Sequence, residues 1–259
     1  MLKIKNEGER ATVYLYGEIG ESFWGEDDNR AKDFAKLLEE LEPKPLDIRI
    51  DSCGGDVYEG FAMASAIMRY KGDTHAYIDG IAASAASYIA LMADSVSMYS
   101  YSMLMIHNAW TIAVGNSEEI RETADKLDAL DGTIAGIIAA RSNLDIDEVR
   151  EAMAAESWYS AEAARDAGMA DDIIETEVKY AASIDRRIAD HFRRIPDNVA
   201  VVDGPLAIRH DLGEGDEGEP EENAPSHADS TISDNGGSAP VAILLGNRIY
   251  RKENGNENK

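Results

Sequence analysis

The sequence predicts an α/β fold of repeated strand–turn–helix units, with a disordered acidic C-terminal tail. Before residue 180, β-rich runs alternate with segments whose apolar residues recur at helical spacing, and such units favour α/β folds. Near residue 203 the chain becomes rich in Gly, Pro, Ser and acidic residues. Such a segment buries too little apolar surface to offset its ordering entropy. The 259 residues, 44% of them hydrophobic, suffice for a packed core elsewhere.

The predicted elements begin with a β-rich run over 12–19 and a helix over 31–41 that prolines end. Over 46–51 apolar residues alternate with charged ones, the period of a half-buried strand, and a Gly-Gly turn then feeds a helix to about residue 70. The later predicted elements are a strand over 74–79, a small-residue segment over 81–93, strands over 95–99 and 103–107, a long helix over 116–141 with a capping box from Asn116 and Glu119, a helix over 145–153, and a helix capped by Ser160 and ended at Gly168.

Charge and cysteine content narrow the classes of partner. The 50 acidic residues exceed the 25 basic ones, and a net charge of −25 repels phosphate backbones and anionic membrane surfaces. The single Cys53 cannot form an internal disulfide, and the N-terminus lacks the apolar core of a signal peptide. No run approaches the roughly 18 apolar residues of a membrane span. We therefore expect a cytoplasmic protein with neither nucleic acid nor membrane as partner.

Two strand-to-helix turns carry residues suited to chemistry. The Gly54-Gly55 pair frees backbone N–H groups to face a developing negative charge, although glycines also serve simply to permit positive φ. Ser84 lies at a helix start among alanines, where the helix dipole favours an oxyanion, although an N-cap serine would look the same. Ser87 competes with Ser84 for either role.

A serine nucleophile needs a base, and the sequence offers five histidines. His210 and His227 fall in the predicted tail, His191 in a charged stretch, and His75 low on its strand. His107 ends an apolar run, where a strand would present it at the edge of the sheet, although a structural histidine fits there too. Acidic residues are too numerous for spacing alone to select the carboxylate that orients the imidazole.

Four blocks in order, DIRIDSCGGDVYEG, GIAASAASYIALMAD, SMLMIHNAW and ESWYSAEAARDAGMADDI, resemble the proteolytic subunit of Clp protease, peptidase family S14. Within that family the likeness is greatest to the bacteriophage head-maturation (prohead) protease branch, and it covers about residues 13–174. The resemblance implies a Clp protease/crotonase-type fold and a serine endopeptidase. It implies Ser84 as nucleophile, His107 as base, Glu156 as the third triad member, and the N–H groups of Gly54 and Ala85 as the oxyanion hole. No metal or cofactor is implied.

Three positions depart from the family pattern. Cys53 replaces a proline before the Gly-Gly pair, Glu156 replaces the usual aspartate, and Ala85-Ala86 replaces Met-Gly after the nucleophile. Other carboxylates near the expected acid position are Asp147, Glu148, Glu151 and Asp166.

The predicted organisation is a peptidase domain over 1–178, a helical extension over 179–202, and a disordered acidic tail over 203–259. The tail holds a short apolar segment at 241–250, read as a strand, a docking peptide or a loose end. The resemblance implies a polypeptide substrate, a homo-oligomeric ring contacted through the 116–141 helix, and an unfoldase or phage capsid or scaffold proteins as partners. The setting would be a bacterial or phage-infected cell.

Three alternatives stay open at this point. A crotonase-type CoA hydratase or isomerase would share paired oxyanion turns but use carboxylates for proton transfer. A catalytically silent subunit would serve as scaffold or assembly factor. A serine–lysine mechanism would need Lys71 or Lys126 near Ser84.

Overall fold

A computed structural model describes residues 3–21, 29–41, 43–176, 182–189 and 191–202, together with the strands at 242–245 and 248–251. The predicted disordered segment over 203–240 lies outside the described residues.

The elements of the first half are β1 (Lys3–Glu7), β2 (Arg10–Tyr16), α1 (Ala31–Glu40), β3 (Leu46–Ser52), α2 (Val57–Arg69), β4 (Thr74–Ala83), α3 (Ala85–Leu91), β5 (Ser95–Tyr99) and β6 (Met103–Ile106). Those of the second half are β7 (Thr111–Ala113), α4 (Ser117–Arg141), α5 (Ile146–Ala155), β8 (Ser157–Ser160), α6 (Ala161–Asp166), β9 (Asp172–Ile174), β10 (Ala182–Asp185), α7 (Arg186–Ala189), β11 (Val199–Val202), β12 (Ala242–Leu245) and β13 (Arg248–Arg251).

An eight-stranded sheet organises the fold, and it confirms the predicted α/β class. Strands β2, β3, β4, β5 and β9 run parallel in that order, with β1 antiparallel at the edge. The first half of β4 pairs with β5, whereas its last residues pair with β6, which in turn pairs antiparallel with β8. The sheet therefore branches at the end of β4, where the small-residue segment begins.

Two hydrophobic clusters lie on opposite faces of β4, because successive strand residues point to opposite sides. The larger cluster packs strand residues such as Ile50 and Ile78 against helix residues such as Phe34 and Ile89. The smaller cluster joins β4 and β6 to the segment after the sheet through buried side chains of Ile81, Ala83, Met103, Met105, Ala182, Ile184 and Val199.

The long helix begins as the sequence predicts. The Asn116 side chain accepts from the N–H groups of Glu118 and Glu119, and the Glu119 side chain accepts from the Asn116 N–H, which completes a capping box. Among the described residues, no helix combines the length and the apolar character that crossing a membrane requires.

The predicted helical extension over 179–202 is wrong in the part that the structure describes. That part contains the parallel strands β10 and β11 and only a four-residue helix, α7. Ile184 and Val199 pack into the smaller cluster beneath the sheet. The helical character of the charged RRIADHFRR stretch is limited to Arg186–Ala189, and the apolar β-branched residues on either side of it form strands because they are buried against the sheet.

The apolar segment predicted at 241–250 contains strands β12 and β13. They form an antiparallel pair, and β12 also pairs antiparallel with β7.

Candidate active site

The branch point of the sheet brings the candidate serine and histidine together. Ala83 and Met105 are partners in the parallel pairing of β4 with β6, and the Ser84 N–H donates to the Met105 carbonyl at 3.0 Å. The chain leaves both strands at the same edge, so the next side chains along each strand are neighbours. His107 Nε2 lies 2.8 Å from Ser84 Oγ, a hydrogen-bond distance.

The backbone at Ser84 is strained. Its φ of 54° and ψ of −122° place a residue with a Cβ atom in a region that costs about 1–3 kcal/mol, and such outliers concentrate at functional sites. Ser84 occupies the N-cap position of α3 but makes no side-chain capping hydrogen bond. The hydroxyl therefore points to His107 instead of serving the helix.

Ser87 has a different environment from Ser84. It is 1% exposed, and its hydroxyl donates to the Ser84 carbonyl at 2.6 Å. This contact supports the turn from within, so the geometry favours Ser84 over Ser87 as the reactive hydroxyl.

The Gly-Gly turn packs directly against the serine turn. Gly54 has φ +94°, and a Cβ atom there would lie 2.7 Å from both the Ala83 carbonyl oxygen and the Ser84 Cβ. Only glycine permits this approach. The Gly54 N–H donates to the Ser52 hydroxyl at 3.1 Å, and no sequence pattern had distinguished Ser52 as part of the site.

Glu156 reaches the site through the antiparallel pairing of β6 with β8. Ile106 is the partner of Ser157 in this pairing, so the residue after Ile106 and the residue before Ser157 face each other across the strands. These two residues are His107 and Glu156. Glu156 is 7% exposed and ends α5 in the left-handed conformation, with φ 54°.

The hydrogen bonds described for the Glu156 carboxylate go to backbone N–H groups beyond the sheet. Arg193 N donates to Oε2 and Arg194 N donates to Oε1, both at 3.0 Å. The segment before β11 thus holds the acid. Among the described residues no hydrogen bond or ion pair joins Glu156 to His107, and the carboxylate acts on the imidazole through its charge.

Burial lowers the pKa of His107, Glu156 raises it, and the nearby Arg193 guanidinium lowers it. The net shift is downward, because burial is the largest of these effects. A lowered pKa favours the neutral imidazole, which is the form that can accept a proton.

The other carboxylates near the expected acid position face solvent: Asp147, Glu148, Glu151 and Asp166 are exposed. Lys71 and Lys126 are also exposed, so neither meets the requirement of a lysine beside Ser84.

The remaining histidines lie elsewhere. His75 bonds to the Ser97 hydroxyl at 2.7 Å, and His191 is exposed and lies against Trp110 at 4.9 Å between ring centroids. His210 and His227 lie outside the described residues.

A small pocket opens beside the serine. Apolar side chains from three helices form much of its wall, and the lining residues are Val57, Ser84, Ser87, Tyr88, Ile106, His107, Ala109, Ile134 and Ile138.

Two further features near the site bear on its chemistry. Asp131 on α4 accepts from the Ala109 N–H at 2.7 Å and so anchors the loop after His107; no local pattern distinguishes it from the other acids of that helix.

Burial raises the pKa of the Cys53 thiol, so the thiol stays protonated and weakly nucleophilic. Within the described residues, no group of three or more metal-ligating side chains is arranged to hold a metal ion.

Comparison with known proteins finds relatives in both sequence and structure. A Bacteroides thetaiotaomicron protein named ATP-dependent Clp protease proteolytic subunit is 30% identical over 141 residues, which cover 53% of this chain and 64% of that relative's length. A Synechococcus protein named ATP-dependent Clp protease proteolytic subunit 2 is 26% identical over 160 residues, covering 61% of this chain and 81% of the relative.

A solved structure of a ClpP1 mutant from Listeria monocytogenes superposes with a TM-score of 0.54 at 26% identity, covering 64% of this chain and 92% of that one. The family model described as Clp protease matches residues 13–177, well over half of the chain. With fold, sequence and structural neighbour in agreement, this protein belongs to the Clp protease family.

Proposed function

We propose that this protein is a serine endopeptidase in which Ser84, His107 and Glu156 form the catalytic triad. The observation that carries the proposal is the 2.8 Å contact between His107 Nε2 and Ser84 Oγ, made by a half-buried imidazole and a strained serine. A serine with an aligned base, and a buried carboxylate whose charge acts on that base, has the composition of a nucleophilic triad.

In the first half of the reaction, Ser84 Oγ attacks the peptide carbonyl carbon while His107 Nε2 takes the hydroxyl proton. The Glu156 carboxylate stabilises the imidazolium that results. The carbonyl oxygen becomes an oxyanion, and the N–H groups of Gly54 and Ala85 donate to it. The Gly54 N–H, now bonded to the Ser52 hydroxyl, exchanges that acceptor for the oxyanion.

In the second half, the tetrahedral intermediate collapses, and the leaving amine takes the proton from His107. Water then attacks the acyl-enzyme with His107 again acting as base, which releases the acid product and restores Ser84.

The pocket beside Ser84 assigns a preference to the substrate. Val57, Ile134 and Ile138 contribute apolar walls, and such a wall favours an apolar side chain on the residue whose carbonyl is attacked. The substrate class that we propose is therefore a polypeptide cleaved after an apolar residue.

We further propose that the protein works as a ring-forming homo-oligomer. Large apolar side chains stay exposed on β7 and at the start of α4, where Ile112 and Val114 are each 55% exposed and Ile120 is 46% exposed. A surface of this kind is suited to contacts between copies, and head-to-tail contacts that close produce rings. A monomer by light scattering at micromolar concentration, with and without residues 203–259, would overturn this assignment.

For the biological role, we propose an assembling phage capsid or scaffold protein as the substrate, with the acidic tail as a tether. Six acidic residues lie within 214–222, a density that keeps a chain extended. Truncation after Val202 removes none of the proposed catalytic residues, so peptide cleavage should persist. Co-sedimentation with a capsid-type partner should then be lost, and retained co-sedimentation would refute the tethering role of the tail.

The rival functions have less support. A crotonase-type enzyme transfers protons with carboxylates and has no need for a serine bonded to a histidine. A silent subunit has no need for a strained serine whose hydroxyl lies 2.8 Å from a histidine nitrogen.

The deciding experiment is labelling with a fluorophosphonate probe, followed by identification of the modified peptide. The wild type should be labelled at Ser84, and Ser84→Ala should lose both labelling and peptidase activity by several orders of magnitude. Ser87→Ala removes the competing hydroxyl, and this variant should still be labelled at Ser84. Equal labelling of wild type and Ser84→Ala would refute the assignment.

A further inference from the structure

We propose that the segment formed by residues 182–189 and 191–202, here named the C-terminal strap, is part of the catalytic machinery and positions Glu156 through the backbone N–H groups of Arg193 and Arg194. The inference rests on the proposed triad. It concerns a contact between Glu156 and a segment that lies outside residues 13–177, the range that the family model matches.

The contact is suited to orienting a carboxylate. Arg193 N donates to one oxygen and Arg194 N to the other, each at 3.0 Å, so consecutive N–H groups fix the plane of the carboxylate. The Arg193 guanidinium adds a bond to the Ala154 carbonyl at 3.2 Å, close to the end of α5.

Apolar packing holds these donors in place. Ala182, Ile184 and Val199 are buried against β4 and β6, the two strands that carry Ser84 and His107. The Asn198 amide also donates to Met103 Sδ at 3.4 Å. The strap is therefore anchored to the same strands as the rest of the site, which lets it hold a fixed position relative to the imidazole.

Aromatic contacts cover the base from the same side. The Phe192 ring centroid lies 5.5 Å from that of Trp158 and 6.4 Å from that of His107. Phe192 thus contributes to the burial of the imidazole, while the next two residues hold the acid. Both effects come from one short run of the chain, 192–194.

The test removes one N–H while leaving the acid in place. Arg193→Pro deletes the donor to Oε2, and Arg193→Ala is the matched control, since it keeps the N–H and removes only the guanidinium. With a peptide substrate, we expect Arg193→Pro to lower kcat about 10- to 100-fold relative to Arg193→Ala, with KM changed less than about threefold. Equal kcat values for the two variants would overturn the proposal.

A second comparison separates positioning from general damage. In a Glu156→Ala background, Arg193→Pro and Arg193→Ala should have the same residual activity, because the N–H acts through the acid alone. A further loss in that background, of the same size as in the wild type, would show that the strap acts by another route and refute the inference.

Hydrogen exchange supplies a readout that does not depend on activity or on a proline variant. In the full chain, Glu156→Ala should speed exchange in the peptide that contains Arg193 and Arg194, and a peptide from β3 should be unaffected. Unchanged exchange at 193–194 would eliminate the contact. If the wild type is not labelled by fluorophosphonate at Ser84, the proposed function fails, and this exchange result still decides whether the strap binds the acid.

Discussion

The strain at Ser84 predicts that the most stable residue at this position is an inactive one. With φ 54° and ψ −122°, any side chain with a Cβ atom costs about 1–3 kcal/mol here. Glycine at position 84 removes this penalty.

The comparison that isolates this strain is Ser84→Gly against Ser84→Ala, since both lose the hydroxyl and its contact with His107. Glycine at position 84 relieves ~1–3 kcal/mol of backbone strain in the folded state. It also lowers the stability by roughly 0.4–1 kcal/mol, because the unfolded chain has more conformational entropy. The difference leaves Ser84→Gly more stable by roughly 0–2.6 kcal/mol. At about 2–4 °C per kcal/mol for a domain of this size, a gain near 1 kcal/mol is measurable by melting.

The assay is denaturant unfolding of both variants at one protein concentration, because self-association makes apparent stability concentration-dependent. We expect a higher midpoint for Ser84→Gly at an unchanged slope, and no peptidase activity from either variant. A midpoint for Ser84→Ala above that of Ser84→Gly would refute the view that the serine turn stores strain.

Three other predictions concern the acid, the base and the pocket. Glu156→Gln should lower kcat about 10³- to 10⁴-fold in a steady-state peptidase assay, whereas the exposed Glu151→Gln should leave it unchanged; similar kcat values would remove Glu156 from the triad. Because burial lowers the pKa of His107, the acidic limb of the kcat/KM profile should have its midpoint at a pH below the ordinary histidine value of about 6.5. Arg193→Ala should move this midpoint to higher pH, because it removes a neighbouring cation. A move to lower pH would contradict this. Val57→Phe should fill the pocket and raise KM about 10-fold for substrates with leucine before the scissile bond, but not for those with alanine; equal effects on both would refute the pocket assignment.

The neighbourhood of Ser84 and His107 could be predicted because its signals are local. His107 comes directly after the short apolar strand β6, and Ser84 directly after β4, which runs four residues beyond its predicted end at residue 79. Adjacent parallel strands place their next residues at one edge of a sheet. The pairing of β4 with β6 then fixes the 2.8 Å contact. The same logic explains why the order and bounds of most central elements agree with the sequence pattern.

The position of Glu156 could not be derived this way. Its approach to His107 depends on β8, a four-residue strand that lies directly before the Ser160-capped helix and has too few residues to show a period. Only the resemblance to a family singled out this acid. Asp131 and Ser52 left no signal at all, because each acts through one hydrogen bond whose partner is fixed by tertiary packing or by a turn.

The C-terminal strap offers a physical reason why a glutamate is suitable at position 156, where the family pattern has an aspartate. A glutamate has one more rotatable bond than an aspartate, so holding its carboxylate toward an imidazole costs more conformational entropy. A single hydrogen-bond partner would leave that extra torsion free to vary. The N–H groups of Arg193 and Arg194 constrain both oxygens at once, and the smaller hydrophobic cluster fixes those donors against β4 and β6. We therefore expect the longer acid and the strap to act as one unit. Glu156→Asp should then lower kcat in a steady-state peptidase assay, since the shortened carboxylate loses its hydrogen bonds to the N–H groups of Arg193 and Arg194, and an unchanged kcat would contradict this.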